Sequence, residues 1–290
     1  MAKKAIVIDG NSLVYRAFYA TWQTLDYYKK NNLTPTNALK LTASLILKLL
    51  DFKEYDYALV AFDHHKKTFR NEVFAEYKAN RKSTPEELLV QLPLIRKMIN
   101  DLGVKTMSIE GFEADDIVGS FANLANANGI EVEVFTSDRD LLQLVNEKTS
   151  VNLFKTGVSE ILSYTHDNFC TLCGGLKPKQ IIDYKAIVGD GSDNFPGVKG
   201  IGPKAATTLL LKYSSFSEIY GHIEELSVIQ KQKFVSGKEI ANICYEIATI
   251  KTNLFDTQNV ENFIKKPMDK NNFNKMVKEF HFKGFEKYLN

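Results

Sequence analysis

The chain has 290 residues, 44% of them hydrophobic and 25% charged, with a net charge of only +2 and three cysteines. That is an ordinary globular composition, long enough for one large domain or two smaller ones. No apolar run approaches the ~20 residues of a membrane span, MAKKAIVIDG is no signal peptide, and three cysteines make no disulfide framework, so a cytoplasmic protein is expected.

In chain order, KAIVID is a short, apolar, β-branched run and reads as a buried strand. TPTNALKLTASLILKLL has helical spacing after a Thr-Pro start, and YALVAFD is a second strand. PEELLVQLPLIRKMINDLG reads as a helix closed by Gly103, and VKTMSIE as a third strand. EADDIVGSFANLANANG is a helix ending at Gly129, EVEVFTSD is a fourth strand, and SVNLF is a short fifth. Strands alternating with helices predict an α/β fold: a mostly parallel central sheet with helices on both faces. Beyond about residue 165 the pattern turns helical. The expected division is 1–175 for the α/β unit and 176–290 for a smaller helical region.

Residues 64–85, HHKKTFRNEVFAEYKANRKSTP, are too long for an ordinary strand–helix connection of ~2–6 residues. They are rich in Lys and Arg with aromatics interleaved, as in a lid or binding loop. Cys170 and Cys173 form a C-x-x-C in HDNFCTLCGG, but no second ligand pair is near. They read as buried structural thiols of a helix, as does Cys244.

GFEADDIVGS crowds Glu113, Asp115 and Asp116 into four positions. Acids do favour the first turn of a helix. That argument does not reach Asp9 at the end of the first strand, Asp63 after the second, or Asp138 and Asp140 after the fourth. In an open parallel sheet these ends border one crevice, where ligands bind. Uncompensated acids there would be costly, and divalent cations resolve the cost. Oxygen ligands without histidine or thiolate point to Mg²⁺ or Mn²⁺. Several carboxylates can hold two ions ~3.5–4 Å apart, an arrangement that supports phosphodiester hydrolysis.

GDGSDNFPGVKGIGPKAATTLL adds Asp190 and Asp193, then a Gly200-Ile201-Gly202 turn with Pro203 and Lys204 opening a helix. This is a helix–hairpin–helix pattern at about 190–210, which aims backbone N–H groups at a phosphate. With the nine acids named here set aside, 26 of the 35 remain against 37 Lys and Arg, a surplus of eleven. A basic body around an acidic notch suits a nuclease.

With these residues in hand, the sequence resembles the bacterial and phage 5′-nuclease family, which includes the 5′–3′ exonuclease domain of family-A DNA polymerases and is related to flap endonucleases. IDGNSLVYRAFYA, TFRNEVFAEYKANR, GFEADDIVGS, TSDRDLLQLV and GDGSDNFPGVKGIGPKAA follow the family's motifs in order. The resemblance implies a first metal site at Asp9, Asp63, Glu113 and Asp115, with Asp116 close by. It implies a second at Asp138, Asp140 and Asp193, supported by Asp190. Residues 64–85 correspond to a helical arch that passes a single-stranded 5′ end. Arg70, Lys78 and Arg81 match its positions that meet the scissile phosphate. Tyr15, Arg16, Phe18, Lys66, Lys67, Tyr77, Lys82, Gly200, Gly202 and Lys204 are the expected DNA contacts.

The implied activity is Mg²⁺-dependent cutting at 5′ ends, nicks and 5′ flaps of DNA, in primer removal and repair. Mn²⁺ would substitute, and a monovalent cation would sit at the hairpin. Expected partners are DNA, RNA–DNA primers and a DNA polymerase, with the chain monomeric. Departures are small: His64 and His65 follow Asp63 and are read as arch-base residues. Whether the chain is a stand-alone enzyme or an excised domain is open. So are two other classes, a non-catalytic DNA-structure binder and an RNA-directed nuclease of the PIN type.

Overall fold

The computed structural model describes residues 2–155, 160–255 and 259–289. Its centre is a six-stranded sheet of β1 (Lys4–Asp9), β2 (Tyr57–Ala61), β3 (Lys105–Met107), β4 (Glu131–Thr136), β5 (Thr149–Phe154) and β6 (Ile161–Tyr164), in the order β3-β2-β1-β4-β5-β6. All neighbours are parallel except β6, which runs antiparallel to β5. The mostly parallel fold expected from the sequence is therefore present. The strand β6 was not expected: ILSY lies at the sheet edge with only Tyr164 buried, so it lacks the apolar run that marks the inner strands.

Two cores flank the sheet because side chains alternate across it. Ile6 and Ile8 of β1 and Ala58 and Val60 of β2 face one side. There they meet α1 (Gly10–Ala20), α2 (Asn37–Phe52) and α3 (Leu92–Asp101) through Leu13, Phe18, Leu39, Ile46, Ile95 and Met98. Ala5, Val7, Leu59 and Ala61 face the other side and pack on Ile117, Val118 and Phe121 of α4 (Ala114–Ala127). The helix expected over 85–103 is broken. Glu86–Leu89 forms one short turn and α3 starts at Leu92, with Pro93 in its first turn, where a missing N–H costs nothing.

A third core joins α5 (Gln180–Val188), α6 (Pro203–Tyr213) and α7 (Val228–Ala248) through Ile187, Val198, Leu210 and Phe234. The chain then returns to the sheet. The Lys265 N–H donates to the Asp56 carbonyl at 2.8 Å, and the Lys266 N–H to Gly103 at 2.9 Å. Phe273, Met276, Phe282 and Phe285 enter the same core as α2 and α3.

Two local expectations are corrected. Phe169–Leu172 is a single helical turn, so Cys170 is exposed and Cys173 only partly covered; Cys244 alone of the three is buried. Residues 64–85 hold one short helix, Phe69–Val73, and otherwise turns, so no helical arch stands there. Instead the segment lies down, with the Lys78 N–H donating to the Asp193 carbonyl, Asn80 to Gly191, and Asn194 to Glu76. These bonds tie it as a strap to the loop after α5. Among the described residues no helix is long and apolar enough to cross a membrane.

Candidate metal centre and nucleic-acid cleft

The carboxylates gather because each stands where a strand gives way to the next element. Asp9 ends β1 and caps α1, accepting from the Ser12 N–H at 3.0 Å and the Thr136 hydroxyl at 2.8 Å. Gly10 makes this tight exit possible: a Cβ there would lie 2.7 Å from the Ala61 carbonyl oxygen of β2. Asp63, two residues past β2, accepts from Asn11 Nδ2 at 2.5 Å and the Ala114 N–H at 2.8 Å, which joins three elements. Glu113 caps α4, and Asp115 is in its first turn. Asp138 follows β4, its N–H bonded to Thr136 Oγ1 at 2.9 Å. Asp9, Asp63, Glu113, Asp115 and Asp138 line one cavity of about 410 Å³ with Lys78, Arg81 and Lys82.

Asp140, Asp190 and Asp193 form a second group, with one oxygen of each within 4.8 Å of the others. Residues of the strap and of α5 act as internal counter-ions. Lys78 Nζ lies 2.9 Å from Glu113, and Arg81 pairs with Asp193. The Tyr77 hydroxyl is placed to donate to Glu113 at 3.1 Å or Asp193 at 3.2 Å. Lys78 holds this position with φ of 57°, the left-handed region that disfavours a side-chain-bearing residue. Lys185, not singled out in the sequence, pairs with Asp140 and lies 2.6 Å from Asp190. The only signal for it was a lysine five residues before Asp190 in a helix.

The electrostatics fit divalent cations. Burial, then the charges of Asp138 and Asp9, push the Asp115 carboxyl well above the ordinary range. Burial lifts Asp9 to about 6, with Asp63 adding to the shift. Burial and Asp138 lift Asp140 to about 7 despite Lys185. Asp190 is the exception: burial opposes its ionisation, but hydrogen bonds from Lys185 and Ser192 outweigh this and hold it at about 2. An all-oxygen donor set whose like charges are not fully compensated is what a hard divalent ion would relieve.

This has a measurable consequence for the metal-free protein. A carboxyl whose folded-state value is raised gives stability that is present below its unfolded value, about 4, and lost as pH rises through the folded value. Asp9 and Asp140 therefore destabilise the metal-free fold progressively from about pH 4 up to about 6 and 7, Asp115 acts in the same direction, and a bound divalent ion would remove that loss. The gap in melting temperature between Mg²⁺ and EDTA samples should widen from about pH 5 to pH 7.5. One proton displaced is worth ~1.4 kcal/mol per pH unit, or ~2–4 °C. A gap that does not change with pH, read by scanning fluorimetry, contradicts the metal assignment.

Three expected site residues turn away from the cleft. Asp116 is fully buried and receives both guanidinium nitrogens of Arg70 at 2.7 and 2.8 Å, plus the N–H groups of Glu113 and Lys251. Arg70 is 2% exposed and also donates to the Ile247 carbonyl, so its guanidinium is spent inside the fold and does not line the cleft. Phe18 is 0% exposed within the core beside α1 and offers no surface to DNA. Arg16 donates to Ser137 and to the carbonyls of Phe154 and Lys155, fixing the loop that carries Asp138. Tyr77 is buried, Lys66 pairs with Glu110 at 2.6 Å, and Lys67 is exposed. Tyr15 and Lys82 line the cleft, the Tyr15 hydroxyl bonded to Thr84.

The hairpin residues Gly200, Gly202 and Lys204 do not line the carboxylate cavity. Gly200 has φ of +81° and Gly202 caps α6, with Lys204 exposed in its first turn. The Gly200 carbonyl already accepts from Lys233 Nζ at 2.9 Å.

Comparison with known proteins follows from this geometry. The family model described as 5′-3′ exonuclease, N-terminal resolvase-like domain matches residues 4–174. That of the 5′-3′ exonuclease, C-terminal SAM fold matches 176–271. A 5′-3′ exonuclease of Mycoplasma pneumoniae is 41% identical over 282 residues, 97% of either chain. DNA polymerase I of Streptococcus pneumoniae R6 is 37% identical over 289 residues, 99% of this chain and 33% of the polymerase. Among solved structures, the T5 D15 protein co-crystallised with metal ions superposes with a TM-score of 0.71 at 22% identity, covering 96% of this chain and 99% of that one. The catalytic core of Rad2 in complex with DNA substrate gives 0.66 at 14% identity, covering 99% and 90%. At these identities the two structures speak to the fold alone.

Proposed function

The chain belongs to the 5′-3′ exonuclease family, and from that premise we propose that it hydrolyses phosphodiester bonds at 5′ ends, nicks and 5′ flaps of DNA. The observation that carries this reading is the cleft itself, where acids from several strand ends share one wall with Lys78, Arg81 and Lys82. The proposed cofactor is Mg²⁺, with Mn²⁺ as a substitute. Asp9, Asp63, Glu113 and Asp115 would hold one ion and Asp140, Asp190 and Asp193 a second; Asp138, expected with the second, lines the cavity of the first and would join it. When bound, such ions activate water and stabilise the leaving oxygen of a phosphodiester.

The protein's own side chains do the remaining work. Asn11, Ser12 and Thr136 hold the carboxylates of Asp9 and Asp63 in place by hydrogen bonds. Lys78 and Arg81, paired with Glu113 and Asp193 in the free protein, become available to a phosphate once those acids take another counter-ion. They would then stabilise charge on the phosphate's non-bridging oxygens. We read residues 1–175 as supplying most of the carboxylates of the cut, and 176–290 as adding Asp190 and Asp193 to them and gripping duplex DNA through the hairpin. A role in primer removal and repair, beside a DNA polymerase, is the biological setting we propose.

The deciding assay is release of short products from a 5′-labelled, 5′-flapped duplex in Mg²⁺, beside single-stranded RNA. Cleavage of the flap and not of the RNA is expected; the reverse would make this an RNA-directed enzyme. For the hairpin, Lys204→Ala should make the log–log salt dependence of duplex binding shallower by about one unit, because one fewer phosphate is neutralised. Fluorescence anisotropy in Ca²⁺ across a salt series reads this. An unchanged slope would remove Lys204 from the interface.

A further inference from the structure

A second cavity, of about 700 Å³, opens from the carboxylate cleft beneath the strap. The two share Asn11, Tyr15, Asp63, Lys78, Arg81, Lys82 and Glu113 along their border. Its far wall comes from elsewhere: Phe62 and His64 after β2, Arg96 of α3 and Ser108 after β3. That wall has no counterpart in the metal site.

Arg96 is the unusual group there. Its guanidinium stacks 4.5 Å above the Phe62 ring and donates to Ser108 Oγ at 3.1 Å. Among the described residues no carboxylate lies within ion-pair distance of it. Burial without a compensating anion depresses its pKa. A half-buried cation is usually paired, because losing part of its hydration without an anion in exchange is unfavourable. Of the other cations lining the cavity, Lys66 pairs with Glu110, Lys78 with Glu113 and Arg81 with Asp193, while Lys82 stands with Arg96 outside the ion pairs of the described residues. The His64 and His65 rings, tilted by 36° with centroids 4.2 Å apart, also border the space. The cavity thus presents a rigidly held, uncompensated guanidinium and a hydroxyl to whatever enters past the acids.

We propose that Arg96 and Ser108 form a phosphate subsite for the strand 5′ of the cut. This rests on the nuclease reading above. Arg96 lines only this second cavity, past the shared border of Asp63 and Glu113, and the hairpin follows Asp193 along the chain. On this proposal, a strand with its scissile phosphate at the acids and its duplex at the hairpin would lay its next 5′ phosphate against Arg96. A planar guanidinium suits a phosphate in two-point contact, and Phe62 fixes its plane. The phosphate can be the terminal one of a nicked strand or an internal diester of a longer overhang.

The experiment compares three substrates: a nicked duplex ending in 5′-hydroxyl, the same ending in 5′-phosphate, and a duplex with a short 5′-hydroxyl overhang. Arg96→Gln should leave KM for the first unchanged and raise it roughly tenfold or more for the other two, since charge-assisted hydrogen bonds are removed. Arg96→Lys, which keeps the charge without the fork, should recover part of the loss. Loss on the phosphate-ended nick alone assigns the site to terminal phosphate, and loss on the overhang alone to internal diesters. Equal losses on all three substrates, with a lowered melting temperature, would show Arg96 to be packing for Phe62 and overturn the proposal, as would no loss on any. If wild-type protein cuts none of the three in Mg²⁺, the nuclease reading fails first, independently of Arg96.

Discussion

Asp115→Asn should reduce kcat for a flapped duplex by on the order of 10³-fold or more, while binding to the same DNA in Ca²⁺ stays the same or tightens. The Asp115 carboxyl is held well above the ordinary range by burial and by the charges of Asp138 and Asp9. Removing its charge withdraws a ligand from the middle of the proposed site. It also removes repulsion against an incoming phosphate, so affinity does not fall. The same repulsion acts within the metal-free protein, and the variant should therefore melt higher than wild type in EDTA. Single-turnover cleavage and anisotropy on one substrate separate these effects. Undiminished cleavage would mean the metals are held without this carboxylate.

Arg70→Ala should fail for a different reason. Arg70 and Asp116 are both buried and joined by two hydrogen bonds, and removing one partner leaves the other charge uncompensated. Such breaks cost ~3–5 kcal/mol, or a drop of roughly 6–20 °C in melting temperature for a chain of this size. Replacing both partners, as in Arg70→Met with Asp116→Leu, should recover part of that stability, since the buried charge is gone while the N–H groups of Glu113 and Lys251 still lose their acceptor. Turnover per folded molecule should stay within a few-fold of wild type in the double variant. If the single variant melted normally and lost kcat, Arg70 would have to leave Asp116 and reach the substrate during the reaction.

The difference between Arg70 and Lys78 shows where sequence reading reached its limit. Both are basic residues of one segment, and motif position gave them the same role. What separates them is depth: Arg70 lies in a helix that packs its guanidinium against α4, while Lys78 rides on the strap over the cleft. Asp115 and Asp116 divide in the same way, because adjacent helical residues point about 100° apart, one to the cavity and one to Arg70. Periodicity placed β1, β2 and β4 and the acids at their ends, since buried parallel strands carry strong apolar runs. It missed β6, whose edge position leaves no such run, and the family resemblance implied a helical arch where the strap lies. The strap's conformation is set by bonds to Asp193 and Gly191, more than a hundred residues away, which no local pattern encodes. Lys185 and Arg96 were missed for a related reason: a lysine or arginine on a helix looks solvated until its neighbours are known.

The return of the chain to the sheet bears on how the protein can be divided. Phe273, Met276, Phe282 and Phe285 fill the layer against α2 and α3, and Lys265 and Lys266 bond to the edges of that layer. A fragment ending at residue 174 would keep its cleft acids from β1 to β4 but leave that apolar face open to water. It would aggregate or stay loosely packed unless the missing piece were supplied. The converse makes a tool: residues 176–290 carry the closing segment, the partner loop of the strap and Lys185 together. The two fragments, each incomplete, should reassemble on mixing, so that recovered cleavage reports the meeting of whatever they are fused to.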